Sequence, residues 1–153
     1  MKTNRLVFAA IALTLAIIGV VGYKFWRNQL SAERQTLMAQ RCDPAQQRCT
    51  AELPNGGRIE FTMFPEPIRP LQPFRMTVAL KNSNASQISV EFDGTQMSMG
   101  KQRIALRGQN DRFGGEAMLP VCTTGAMEWS ATVIVHQNGH TLAVPFHFDV
   151  AAR

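Results

Sequence analysis

Between residues 58 and 150 the chain alternates apolar and polar residues with a period of two, in one short run after another. Ile59, Phe61 and Met63 alternate with Arg58, Glu60 and Thr62; Phe74, Met76, Val78 and Leu80 alternate with Arg75, Thr77, Ala79 and Lys81. Ile88, Val90 and Phe92 are set against Ser89, Glu91 and Asp93, Ile104 and Leu106 stand among Arg103, Ala105 and Arg107, and Phe113, Ala117 and Leu119 mark a further run. Two longer runs follow, Met127 to Gln137 and Thr141 to Val150, the second with Leu142, Val144, Phe146 and Phe148 on one face. A period of two gathers the apolar side chains on one side of a strand, whereas on a helix it would scatter them round the axis.

The punctuation agrees. Asn55-Gly56-Gly57, Asn82-Ser83-Asn84 and Asp93-Gly94 separate the runs, and Gln137-Asn138-Gly139-His140 has the form of a two-residue hairpin. Pro65, Pro67, Pro70 and Pro73 predict an extended crossover over 65–73, because proline has no ladder donor. About seven strands in some hundred residues predict an all-β fold, an immunoglobulin-like antiparallel sandwich, with a small closed barrel as the alternative.

The N-terminal part reads differently. Leu6 to Tyr23 is an uncharged apolar run of 18 residues. As a helix it would be about 27 Å long, enough to span a bilayer core. Lys2 and Arg5 precede it, while Tyr23, Phe25 and Trp26 follow as an interfacial belt. No small-x-small cleavage site follows, so an uncleaved signal anchor is expected, N-terminus inside and domain outside. The expected layout is a tail over 1–5, an anchor over 6–26, a stalk over 27–50 and a β-domain over 51–153. Within the stalk, Ser31 to Gln40 contains good helix formers with Ser31 as N-cap, which predicts a short helix.

Charge excludes one class of partner. The formal charge is +5, but Lys2, Arg5, Lys24 and Arg27 all flank the apolar run, and the remainder holds 12 basic against 11 acidic residues. With no basic patch and no aromatic stacking platform, nucleic-acid binding is not expected.

Cys42 and Cys49 bracket a six-residue segment that contains Pro44, and in an oxidising compartment they are expected to form a disulfide. Cys122 is then an odd thiol in an exported domain. As a nucleophile it would need a base, yet His136 and His147 fall opposite the apolar rows and His140 follows the hairpin turn. No hydrolase, phosphate-binding or zinc-protease motif is present, so no enzyme activity is expected. The spacing also lacks the C-x-x-C of thiol-disulfide enzymes, which leaves a redox-sensing thiol as a third choice.

Soft-metal binding is the sharper alternative. Met97 and Met99, two apart on an extended chain, point the same way and can act as a pincer. Cys122 and Met127, either side of a Thr-Thr-Gly-Ala turn, can supply a second pair, and thiolate with thioether sulfurs suits Cu(I). His147 and Trp129 are accessory candidates. The plainer reading is core filling: Met127 and Trp129 share a face with Ala131, Val133 and Val135, and Trp129 is expected as the core tryptophan of the sandwich.

With those residues set out, the layout resembles the FixH/YtkA-type group of bacterial envelope proteins, which carry one N-terminal transmembrane helix and an exported immunoglobulin-like β-domain. The resemblance covers most of the chain as layout rather than as motif. It implies a single-pass protein of the bacterial inner membrane with a periplasmic domain. It also implies a setting in the assembly of copper-containing terminal oxidases, with a copper chaperone or an oxidase subunit as partner. Met97-Ser98-Met99 with Trp129 is in addition similar to the ligand set of CusF-type copper carriers, which join a methionine pair and a histidine under a tryptophan face. This chain departs from that set by carrying Cys122 and by lacking a matching histidine. The combined expectation is a Cu(I)-handling protein using Met97, Met99, Cys122 and Met127. Its rival is a metal-free interaction module of a membrane complex, docking through exposed strands and the Pro-rich 65–73 segment.

Overall fold

The structure, a computed structural model, describes residues 13–23, 34–38, 40–54, 56–97, 100–121, 126–137 and 139–150. It divides into two compact units, Met1–Glu33 and Arg34–Arg153.

In the first unit residues 13–23 form a helix inside the expected anchor segment. Its apolar side chains, among them Leu13, Leu15, Ile17, Ile18, Val20 and Val21, are exposed all round. Among the described residues no helix is long and apolar enough to cross a membrane; residues 1–12 and 24–33 of the expected anchor and stalk lie outside them.

The second unit is all-β. Its strands are β1 (Arg34–Thr36), β2 (Cys49–Glu52), β3 (Arg58–Phe64), β4 (Phe74–Lys81), β5 (Gln87–Gly94), β6 (Gln102–Ala105), β7 (Arg107–Gln109), β8 (Arg112–Ala117), β9 (Met127–Gln137) and β10 (His140–Val150). They form two five-stranded sheets, ordered β1-β10-β9-β5-β6 and β2-β3-β4-β8-β7. The predicted apolar rows meet between them: Ile59, Phe61, Met63, Phe74, Met76, Val78, Leu80, Ile88, Val90, Phe92, Trp129, Val133, Phe146 and Phe148 are all buried in one cluster. Phe74 meets Phe92 edge-on across the sheets at 5.7 Å, and Phe61 lies 5.4 Å from Phe146. The predicted hairpin is present, with Gln137 opposite His140 and Gly139 at φ 78°.

Three expectations change. The segment expected as a stalk helix enters a sheet: β1 runs parallel to β10 with Arg34 opposite Thr141, Leu37 N–H donates to Ala143 C=O at 2.8 Å, and Gln40 N–H donates to Pro145 C=O at 3.0 Å. Good helix formers yield here because the open edge of β10 supplies backbone partners and Leu37 packs on the core. Second, 65–73 is not a crossover but joins β3 to its sheet neighbour β4, with Ile68 buried at the end of the core. It contains cis peptide bonds at Phe64–Pro65 and Glu66–Pro67. Third, the run around Ile104 and Leu106 is divided between sheets, β6 on β5 and β7 on β8, turning at buried Leu106.

Both flanks are thereby closed by strands that change sheet, β1 to β2 on one side and β6 to β7 on the other. Short, sheet-switching edge strands leave little ladder for another chain to pair with. The Cys42–Cys49 disulfide, as expected from the sequence, closes the loop between β1 and β2. Asp43 Oδ1 accepts from Ala45 N–H at 2.8 Å to hold the turn, and Pro44 C=O accepts from Met63 N–H at 2.8 Å, extending the edge of β3.

Candidate functional site

The two methionine-bearing stretches, far apart in sequence, come to the same end of one sheet. β5 ends where β9 begins, with Gly94 opposite Trp129. Thr95 continues the pairing: its N–H donates to Glu128 C=O at 3.1 Å, and its hydroxyl donates to the same carbonyl at 2.9 Å and lies 3.0 Å from Glu128 Oε2. Gly94 is the point of closest approach. A Cβ there would stand 2.4 Å from the Met97 carbonyl oxygen, 2.5 Å from Met127 Cε and 3.5 Å from Met127 Sδ. Glycine is needed because the turn backbone and the Met127 thioether share the space that a side chain would take.

The two methionines differ in setting. Met97 is 48% exposed, whereas Met127 is on the inner face of β9 and buried. Met99 and Cys122 lie outside the described residues, as do Ser98 and residues 123–125. The residues that flank them, Met97 with Gly100 and Val121 with Ala126, are described.

The accessory candidates separate. Trp129 shares the inner face with Met127 and is buried, as expected of a core tryptophan. His147 lies opposite Ser130, one step out of phase with the Trp129–Phe148 pair, and so occupies the outer face of the same sheet. A strand's alternation sends neighbours to opposite faces, so His147 is turned away from Met127 and Trp129. Its Nδ1 is 3.5 Å from Glu128 Oε1. Among the described residues no three His, Cys, Asp or Glu side chains are grouped to hold a metal. At this point the described residues place the Met127 thioether and the Met97 main-chain carbonyl side by side.

The strongest electrostatic feature was not visible in the sequence. Glu91 follows the polar phase of β5, yet it is only 5% exposed on the outer face. Arg103 donates to its Oε2 from Nη2 at 2.6 Å and from Nε at 3.2 Å, and Arg34 and Lys101 each reach Oε1 at 3.4 Å. Burial is the largest single influence and favours the neutral acid, but the Arg103 hydrogen bonds and the charges of Arg34, Lys101 and Arg103 together outweigh it. The carboxyl is held below its ordinary value. The cluster ties β1 and β6, the two edge strands of this sheet, to β5.

A second feature was also missed. Phe64, Leu71, Met118 and Val121 are exposed large apolar side chains, and all lie at the end of the sandwich that carries Met97. Phe64 closes β3 and Leu71 N–H donates to Leu119 C=O at 2.9 Å. Parity offered a signal for Met118, since its neighbours Ala117 and Leu119 are both buried.

The fold thus defines a two-sheet, all-β sandwich with both flanks closed and an apolar, methionine-bearing end. No protein-family model matches the chain, and no curated protein matches it.

Proposed function

We propose that this is a membrane-anchored, exported immunoglobulin-like domain that binds and hands over Cu(I), serving cuproenzyme assembly at the bacterial inner membrane. The observation that carries the reading is the β5–β9 register. It brings the Met97 turn and Met127 to one point at Gly94, at the end of the sheet where Met99 and Cys122 follow and precede them in sequence. Soft sulfurs exchange Cu(I) one ligand at a time with those of a partner, and no bond in a substrate is made or broken. The half-exposed Met97 would be the ligand a partner reaches first, with Met127 beneath it.

Two further observations support the setting. The strand order β3-β4-β8-β7 facing β10-β9-β5-β6 follows the A-B-E-D and G-F-C-C′ arrangement of immunoglobulin-like sandwiches. The helix over 13–23 exposes apolar side chains on all sides, as a helix solvated by lipid does.

Anaerobic Cu(I) titration of the chain against a competing chelator tests the reading. Tight binding that falls by about tenfold or more in Cys122→Ser combined with Met97→Leu is expected, equivalent to about 1.4 kcal/mol. Unchanged affinity in that double variant would sink it. The exposed apolar end also favours a second reading, a metal-free docking module of a membrane complex, in which the chain binds its partner equally well under chelation.

A further inference from the structure

Charges that nearly cancel along the chain beyond its N-terminal run do not cancel face by face. On the outer face of β1-β10-β9-β5-β6 the acids are Glu91, Asp93, Glu128 and Asp149, and the cations Arg34, Lys101 and Arg103 are all committed to Glu91. The outer face of β2-β3-β4-β8-β7 is the reverse. Strand phase sends Arg58, Arg75, Lys81, Arg107 and Arg112 to it, with Arg48 just ahead of β2, against Glu52, Glu60 and Glu116.

Within this basic face is a hollow of about 90 Å³, lined by Arg48, Glu60, Thr62, Thr77, Ala79 and Arg112. Its floor is low because small residues meet there across the sheet: Thr62 is opposite Thr77, and Thr77 is opposite Gly114. Arg112 rises beside Ala79, its partner in the register. Glu60 on the wall would repel an anion, but Lys81 holds it at 2.6 Å, which leaves Arg48 in a long contact with it at 3.7 Å. Among the described residues Arg112 has no ion-pair partner, and neither Thr62 nor Thr77 has a side-chain hydrogen bond. The hollow thus gathers, from its walls and its floor, donors that the fold itself does not use.

We propose that this hollow binds a phosphate group, either inorganic phosphate or the terminal monoester of a small soluble molecule. The space is about three water molecules' share of liquid, room for one oxyanion and not for a length of chain. Guanidinium forks match phosphate oxygens two at a time, and each threonine hydroxyl adds a donor from below. A carboxylate has two oxygens in one plane and cannot meet walls and floor together. A phosphate monoester presents three free oxygens in a tetrahedral array. A diester, as in a lipid headgroup, keeps only two. The neighbouring cations Arg58, Lys81 and Arg107 favour the dianion over a single charge. Neither the metal nor the anchor of the reading above enters this site.

Calorimetric titration of the purified full chain in an uncharged detergent tests it, at low salt and about pH 8, where phosphate is mostly dianionic. Three probes are compared: inorganic phosphate, acetate, and glycerophosphoglycerol, the deacylated headgroup of an anionic lipid. Phosphate is expected to bind saturably, one per chain, with a dissociation constant of about 1 mM or tighter and at least about fivefold ahead of either other probe. Arg112→Gln should weaken phosphate by about tenfold, and Thr62→Val with Thr77→Val by about threefold, at unchanged melting temperature. Arg69→Gln removes the same charge from the 65–73 segment, away from the hollow, and should change affinity by less than about twofold. No saturable binding, acetate bound equally well, or equal weakening by Arg69→Gln and Arg112→Gln would each overturn the site. Preference for glycerophosphoglycerol would give the face to a lipid surface and overturn it too. Should a variant melt lower, the order of the three probes on the unaltered chain still decides.

Discussion

Glu91 is a carboxylate taken out of water and kept ionised by three cations from two segments, Arg34 in β1 and Lys101 with Arg103 at β6, which makes it the residue on which acid stability should turn. Its folded pKa is depressed, so the unfolded chain binds its proton first as pH falls. The stability it contributes is fully present above the ordinary carboxyl value, near 4.5, and is lost as pH falls from there through the folded value. Glu91→Gln should lower stability at pH 7 by about 1–2 kcal/mol, since Arg34 and Arg103 are left without their acceptor. Urea midpoints between pH 3 and 7 check this: the variant should show a flatter fall below pH 5, and parallel curves would show that Glu91 is no acid-sensitive tie. Gly94 gives a second prediction at this scale. Gly94→Ala places a methyl against the Met97 carbonyl and Met127 Cε, and because one of these is backbone the strain cannot be relieved by a rotamer change. A loss of about 1–3 kcal/mol is expected by chemical denaturation.

Among the elements, the Cys42–Cys49 loop and β1 act together as the N-terminal closure of the sandwich. Cys49 is buried in the core and begins β2, while the loop ahead of it bonds to β3 through Pro44. Reducing the disulfide under otherwise native conditions should cost about 2–3 kcal/mol, from the freedom a short loop regains in the unfolded chain. A thermal melt with and without reductant reads this, and an unchanged midpoint would remove the bridge from the account of stability. The β9–β10 hairpin is held by Gly139 in the left-handed region with open space about its Cα. Gly139→Ala should therefore cost only the conformational strain, about 1 kcal/mol, with no packing penalty, measurable by the same melts.

For the whole molecule, the boundary of the folded unit is the consequential difference. Sheet structure begins at Arg34, so a fragment starting at residue 28 retains β1, the disulfide loop and buried Ala45 and Cys49, whereas one starting at residue 51 loses them all. The shorter fragment should melt at least about 15 °C lower or fail to stay soluble, because it uncovers the edges of β10 and β3 as well as part of the core. Equal melting of the two fragments would restore 34–50 to the status of a stalk. The polarity between the ends is likewise a property of the whole unit, since the exposed apolar residues come from three connections and both sheets.

The sequence alone determined the faces of the strands, the hairpin turn and the Cys42–Cys49 bridge. Each follows from neighbours in the chain: a period of two, an Asn-Gly pair, two thiols a short loop apart. Only the tertiary structure decided that residues 34–36 pair as a strand, that 65–73 stays within one sheet, and that the Ile104–Leu106 run is shared between two. Those outcomes depend on which edge lies open beside a segment, and a residue such as Ala143, which provides it for Thr36, is distant in sequence. The candidate site divides the same way. Met97 and Met127 were legible as soft ligands from their chemistry, and the turning of His147 to the other face from strand parity, but the approach of the Met97 turn to Met127 at Gly94 comes from the pairing of β5 with β9. Burial of Glu91 among three cations and the gathering of Phe64, Leu71, Met118 and Val121 at one end have the same origin: long-range pairing sets the surroundings of a side chain, and local pattern sets only the face it starts from.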